Sequence, residues 1–325
     1  MIQTIRKAWG IPELQKKIVF TLLILLIYRI GSAIPVPYVD TATLKSYLDG
    51  MGTTILGLYN VMSGGAFQMA TVFALGIQPY INSSIIIQLL TVAIPALERM
   101  ARDGGEEGKR KIQSITRYAT VAIALLQGFG YYSLIKSYGL IESSSLNGVW
   151  VALVIVLSFT AGSAFLMWLG EQITISGIGN GISIILFAGI VSRFPTLIKQ
   201  LFQYLDTGRT VYKVLVPVVC VIFLLMIAYI VFMDNSERRL PIQYAKRVVG
   251  RKMYGGQSTH IPIKVNMSGV MPIIFASTLC GLPNMIGSFL NLDATKHPYW
   301  TAFFRVFNYN SVLYLVVYVL SLIHI

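Results

Sequence analysis

The stretch FALGIQPYINSSIIIQLLTVAIP, residues 73–95, is long enough to cross a bilayer and apolar enough to be placed there, yet it carries Gln78, Pro79, Asn82, Ser83, Ser84 and Gln88. A hydrocarbon core about 30 Å thick needs about 20 apolar residues per helix. The rest of the chain is similarly apolar, since 55% of its 325 residues are hydrophobic and only 12% charged, and the mean hydropathy is +0.68. Such a chain is too apolar for water. It lacks the period-two alternation of a membrane β-barrel, which leaves an all-α integral membrane protein. Complete spans are expected near 18–34, 73–96, 115–136, 150–170, 179–193, 213–233 and 268–289, with an eighth starting near 311.

The N-terminal MIQTIRKAWGIPELQKK is basic but has no small-residue cleavage site after the first apolar run, so that run is expected to stay as a span. Cys220 and Cys280 fall inside expected spans without metal or disulfide spacing and are expected to fill the core. Lys and Arg set the orientation. With the N-terminus inside, the inner segments hold Arg6, Lys7, Lys16 and Lys17, the cluster from Arg99 to Arg117, and the cluster from Arg238 to Lys264. The outer loops and span ends hold far fewer, a ratio of nearly two to one that predicts a cytoplasmic N-terminus.

On a helical wheel the opening stretch has two sides. Ile77, Ile81, Ser84 and Gln88 share a stripe flanked by Gln78 and Asn82, while Tyr80, Ile87 and Leu90 lie opposite and are expected to meet lipid. Because an unsatisfied polar group in hydrocarbon costs several kcal/mol, the mixed side must face another helix or a wet cavity. Interhelical hydrogen bonding and a pore lining both satisfy that requirement.

Upstream, ILGLYNVMSGGAFQMATV (55–72) is mildly apolar, broken by glycine and too short to span. A segment of that kind suits a re-entrant helix buried in protein or filling an aqueous cavity, with Ser63, Gly64 and Gly65 as its flexible break or as a plain turn. In GEQITISGIGNGISIILFAGI (170–190), Gly177, Gly179 and Gly181 permit a tight turn and close helix approach. No phosphate-binding glycine loop is present, so no nucleotide or other cofactor is expected. Acidic residues are expected only at span ends, which weakens ion-coupled transport. The three histidines, His260, His297 and His324, do not assemble with a nucleophile and an orienting group, so no enzyme is expected.

The loop 234–266, expected to be cytoplasmic and containing DNSERRLPIQYAKRVVGRKMYGGQSTHIPIKV, interleaves three basic pairs with Tyr244, Tyr254, Val248 and Val249. Mixed aromatic and basic patterning fits a docking surface for an acidic protein or an RNA-containing particle better than a solvated tail. The alternative is a set of charges that fixes topology and leans on anionic phospholipids.

Five stretches carry a resemblance: YRIGSAIPVPYVD (28–40), NVMSGGAFQMATVFALGIQPYINSSIIIQLLTV (60–92), GKRKIQSITRY (108–118), FLMWLGEQITISGIGNGISIILFAGI (165–190) and YAKRVVGRKMYGGQSTHIPIKVNMSGVMPIIFAS (244–277). Together they resemble bacterial SecY, the family of channel subunits of the general protein translocase. The resemblance implies a helical bundle in the bacterial cytoplasmic membrane, with pseudo-symmetric halves around an hourglass pore and a short re-entrant plug helix. Residues 1–193, with the plug near 55–69, would form the first half, and 194–325 part of the second. A ring of Ile77, Ile81, Ile182, Leu186 and Ile274 would close the waist. The plug would include Asn60, Met62, Ser63, Gly64, Gly65 and Phe67. A lateral gate between the second and seventh helices would use Gln78, Asn82, Ser84, Gln88, Ser268 and Ser277. Arg247, Arg251, Lys252 and Tyr254 would dock the SecA motor or a translating ribosome. The implied partners also include SecE, SecG, signal peptides and unfolded preproteins.

The chain stops at YLVVYVLSLIHI, which the resemblance reads as part-way through the eighth span, so a truncated sequence is expected. A solute transporter would instead need a midplane pocket with convergent charges, and a non-conducting scaffold would tolerate polar residues at the waist.

Overall fold

The computed structural model describes residues 9–49, 55–141, 147–207, 209–242, 247–249, 252–254, 259–266, 272–273, 276–277, 280, 299, 303 and 311–324. Within them, four helices are long and apolar enough to cross a membrane, or up to five if a bent pair counts as one span. The chain divides into two compact units, 1–195 with 280–315 and 196–279 with 316–325.

The first unit begins with α1 (Pro12–Gly31), which starts on a proline and ends where Ser32 returns its amide and hydroxyl to the Tyr28 carbonyl. Two short helices follow, α2 (Thr41–Asp49) and α3 (Ile55–Met62). Asp40 caps α2 by accepting from the amides of Ala42 and Thr43. The opening stretch is not one continuous span. Residues 73–77 are turns, with Gly76 at φ 58°, and helix α4 (Gln78–Ala93) starts only where Pro79 fits its first turn. Ile94 is extended because Pro95 follows it, and α5 (Pro95–Arg102) leaves at 101° to α4.

The long helices α6 (Gly105–Ser137) and α7 (Gly148–Ser176) pack on each other, and α4 and α5 also pack on α6. Helix α8 (Gly181–Ser192) is capped by Asn180, whose side chain accepts from the amides of Ile182 and Ser183, and it packs on α7. It is followed after Arg193 by α9 (Phe194–Asp206). The core lies where α6 ends and α7 begins. There Tyr131, Ile135, Val151, Ile155 and Phe159 meet Val36, Leu44, Phe67 and Ala70 from the chain that covers that end of the bundle.

The second unit contains α10 (Thr210–Asp234), only 6% of whose most apolar window is buried. Cys220 is half-buried on it rather than in a core, whereas Cys280, in the first unit, is buried. The expected docking loop folds into antiparallel ribbons: β1 (Glu237–Ile242) pairs with β4 (Thr259–Lys264), and β2 (Arg247–Val249) with β3 (Lys252–Tyr254). Strand alternation puts Arg238, Leu240, Ile242, Ile261 and Ile263 on one face and Glu237, Arg239, His260 and Lys264 on the other. Helix α11 (Val312–His324) ends the described chain. Most of the expected seventh span, including Ser268 and Ile274, lies outside the described residues.

Candidate functional site

The segment joining α3 to α4 is held inside the first unit by its own polar groups. The Asn60 side chain donates to Gln68 Oε1 at 2.6 Å and accepts from the Gln68 amide at 3.1 Å. Ser63 Oγ accepts from the Phe67 amide at 3.0 Å, and the Gly65 amide donates to the Asn60 carbonyl. These bonds fold 60–68 into a compact hook. Gly64 and Gly65 sit at its bend with φ of 68° and 91°, a backbone that other residues rarely adopt.

Four helices grip the hook. From α1, Tyr28 Oη donates to the Ser63 carbonyl at 3.4 Å. From α4, Gln78 Nε2 meets Met62 Sδ at 2.9 Å. From α6, the Tyr131 hydroxyl donates to the Phe67 carbonyl while the two rings stack 4.3 Å apart. From α8, the backbone of Gly189 lies against Met62 and Gly64. The downstream end is fixed more firmly, since Ala70 and Val72 exchange backbone hydrogen bonds with Val36 and Ile34.

Two of the helices that touch the hook bear the expected ring residues. Ile77 caps α4 and Ile81 lies one turn in, and both are buried. Ile182 and Leu186 on α8 are half-buried and share a face with Gly189, with successive spacings of four and three residues. Gly170 of α7 makes room for Ile182: a Cβ there would come within 2.7 Å of Ile182 Cδ1.

The polar residues of α4 divide their work. Gln78 turns to the hook, Asn82 is buried, Ser84 is half-buried and Gln88 is exposed. Ser83, not among the expected gate residues, is fully buried and donates to the Thr116 carbonyl of α6 at 2.8 Å. The expected lipid side of α4 is corrected here. Ile87 is buried, and Tyr80 and Leu90 are half-buried, because this side of α4 packs on α6 and α7, while Val92 is 81% exposed. Ser277, in the second unit, donates from its hydroxyl to the Ile273 carbonyl.

Glu171 is buried on α7, which runs on to Ser176. Its carboxylate accepts from Arg117 Nε at 2.9 Å and from Gln113 Nε2 at 3.3 Å, both on α6. With a 10% exposed Glu171 side chain and a 45% exposed Arg117, the pair joins α6 to α7 with one partner sheltered and the other reaching solvent. The sequence signal was present in the spacing of Gln113 and Arg117, four residues apart on one helix face.

In the second unit, Arg247 and Tyr254 are register partners at the open end of the inner ribbon, and Lys252 pairs with Val249 next to the turn. Arg251 lies outside the described residues. Among the described residues, no group of His, Cys, Asp or Glu could hold a metal ion.

The SecY family profile matches residues 71–325. The chain is 42% identical over 298 residues to the protein translocase subunit SecY of Streptomyces scabiei, covering 89% of this chain and 68% of that one. It is 44% identical over 280 residues to the same subunit of Escherichia coli K12, covering 86% and 63%. It therefore spans about two thirds of the length of these relatives. Its fold matches a solved protein-conducting channel at a TM-score of 0.60 with 19% identity, covering 86% of this chain and 59% of that one. At a TM-score of 0.59 and the same identity and share of this chain, it also matches a SecY whose plug domain stabilises the closed channel, covering 58% of that chain, and Sec61 from a canine ribosome-channel complex, covering 59%. A profile match over most of the chain, close relatives and a shared fold agree: the chain belongs to the SecY family of protein translocase subunits, multi-pass proteins of the membrane.

Proposed function

We propose that this chain forms the wall, ring and plug of a protein-conducting channel that passes unfolded polypeptides across the bacterial cytoplasmic membrane and releases apolar segments sideways into lipid. One observation carries the reading. A short, glycine-bent hook lies inside the bundle, gripped by the same two helices, α4 and α8, that hold the aliphatic pairs Ile77–Ile81 and Ile182–Leu186.

Physically, a ring of uncharged aliphatic side chains fits around an extended chain of any sequence and excludes water and ions when collapsed. Ile274 would complete the ring from the second half. Residues 55–69 act as the plug. Gln78, Asn82, Ser84 and Gln88, with Ser268 and Ser277, form a seam whose polar contacts separate more readily than close apolar packing. A signal peptide or membrane span leaves through it, driven by apolar burial at about 25 cal/mol per Å². The two halves, 1–193 and 194–325, surround the path, and the N-terminus is cytoplasmic.

The ribbon 237–264 docks the energy source, a SecA motor or a ribosome, through Arg247, Arg251, Lys252 and Tyr254. SecE and SecG are the expected companion subunits, and anionic phospholipids the surrounding charge. Energy comes from the docked partner, since the sequence holds no nucleotide-binding loop.

The test is ion conductance of the purified protein in planar bilayers. Ile81→Asn should raise leak, because a polar group at the waist lets water enter; deletion of residues 57–65 should do the same. Unchanged conductance in both would overturn the ring and the plug together.

A further inference from the structure

The hook meets α8 mainly through backbone, at Gly64 and Gly189, with Ser192 Oγ beside it. A Cβ at Gly189 would lie 2.7 Å from the Met62 carbonyl oxygen and 3.0 Å from Tyr28 Oη. A Cβ at Gly64 would lie 2.8 Å from the Gly189 carbonyl oxygen and 2.7 Å from Ser192 Oγ. The distances to the Met62 and Gly189 carbonyl oxygens are ones that real Cβ atoms do not occupy, and in both directions the obstruction includes main chain, which cannot rotate aside.

We propose that Gly189 is a positioning residue, a notch in α8 that seats the bend of the plug one turn beyond Leu186. The proposal rests on reading 55–69 as the plug. It adds the feature that fixes its resting place. The hydrogen bonds within the hook, from Asn60 and Ser63, keep its shape whether or not it is seated, because none of them reaches α8. Contacts from Tyr28 and Gln78 are a 3.4 Å hydrogen bond and an amide on a thioether, both weak. Of these three contacts, the notch alone depends on shape, so a single methyl group there should act on the seat more than loss of either polar contact.

Seating can be read without conduction. In protein lacking Cys220 and Cys280, Met62→Cys and Gln78→Cys are joined by a short bis-maleimide. Adding Gly189→Ala should slow this cross-linking roughly tenfold and raise ion leak, whereas Ile190→Ala, on the exposed side of α8, should change neither. In protein already lacking residues 57–65, Gly189→Ala should add no further leak. If Gly189→Ala does not accumulate in the membrane, Ser192→Leu crowds the same notch from the helix end and should give the same result. Cross-linking at the unmodified rate in either variant overturns the notch. Slowed cross-linking with no leak, and no leak from the 57–65 deletion, keeps the seat and discards the plug reading.

Discussion

Helices α7 and α10 are both long and apolar, and α10 is the more apolar of the two, yet 39% of the most apolar window of α7 is buried in protein against 6% for α10. The difference lies in their small and polar residues. Helix α7 carries Thr160, Gly162, Ser163, Gly170 and Glu171, all buried, whereas α10 runs from Val214 to Phe232 in residues that are apolar apart from Tyr229 and broken only by Pro217. In a membrane, lipid is as apolar as leucine, so hydrophobicity alone does not draw two helices together; close backbone approach and hydrogen bonds do.

The largest effect is expected at Gly162. A Cβ there would sit 2.0 Å from the Val72 carbonyl oxygen, so Gly162→Ala must push the covering segment away from α7. We expect a loss of about 3 kcal/mol in reversible unfolding in mixed micelles, against less than about 0.5 kcal/mol for Leu224→Ala on the exposed face of α10. Equal losses at the two sites would mean that α10 is packed as closely as α7.

A smaller effect is expected at the ion pair. Glu171→Ala leaves Arg117 facing a sheltered gap, but Arg117 is nearly half-exposed and can reach water, so the loss should be about 1–2 kcal/mol and not the larger value of a fully buried pair. Replacing both residues with methionine should recover most of it. By contrast, breaking the exposed pairs Lys109–Glu106 or Lys111–Glu107 on α6 should change stability by less than about 1 kcal/mol. Denaturant titration of the four variants checks the order.

The same contrast explains how far the sequence was readable. Apolar runs located α6, α7, α8 and α10 to within a few residues at most ends, because hydrophobic length is a local property. The mixed face of the opening stretch was legible at its start, where Ile77, Ile81 and Asn82 are buried, but not at Gln88, which is exposed. The opposite face was not legible. Tyr80 and Ile87 look lipid-facing on a wheel, but in a multi-helix bundle an apolar face is equally suited to α6, and only the position of the neighbour decides. The start of α4 was hidden because Gly76 and Pro79 act on a scale of one turn, inside an apolar run that suggests continuity. The ribbon at 237–264 was missed as secondary structure because the register of its outer pair links residues far apart in the chain, such as Arg238 and Ile263. What the resemblance added was roles: residue chemistry alone pointed to a half-inserted segment at 55–72, and its use as a plug came from the family.

The smallest expected effect tests the cover of the bundle and not its helices. Asp40 caps α2, which contributes Leu44 and Leu48 to the core at the end where the hook is anchored. Hydrogen bonds from the Thr43 hydroxyl and amide, then from the Ala42 amide, hold its carboxyl below the usual carboxylate range. A group whose folded pKa is depressed adds stability that is fully present above its unfolded value, about 3.9, and is lost as pH falls through the folded value. The melting temperature should therefore show a small drop below about pH 4 that is absent in Asp40→Asn, which keeps a capping oxygen but cannot titrate. Leu224 does not titrate, so Leu224→Ala should leave the size of the drop unchanged. A drop of the same size in Asp40→Asn would assign the acid sensitivity to other carboxylates, and the cover over α7 would then owe nothing measurable to its cap.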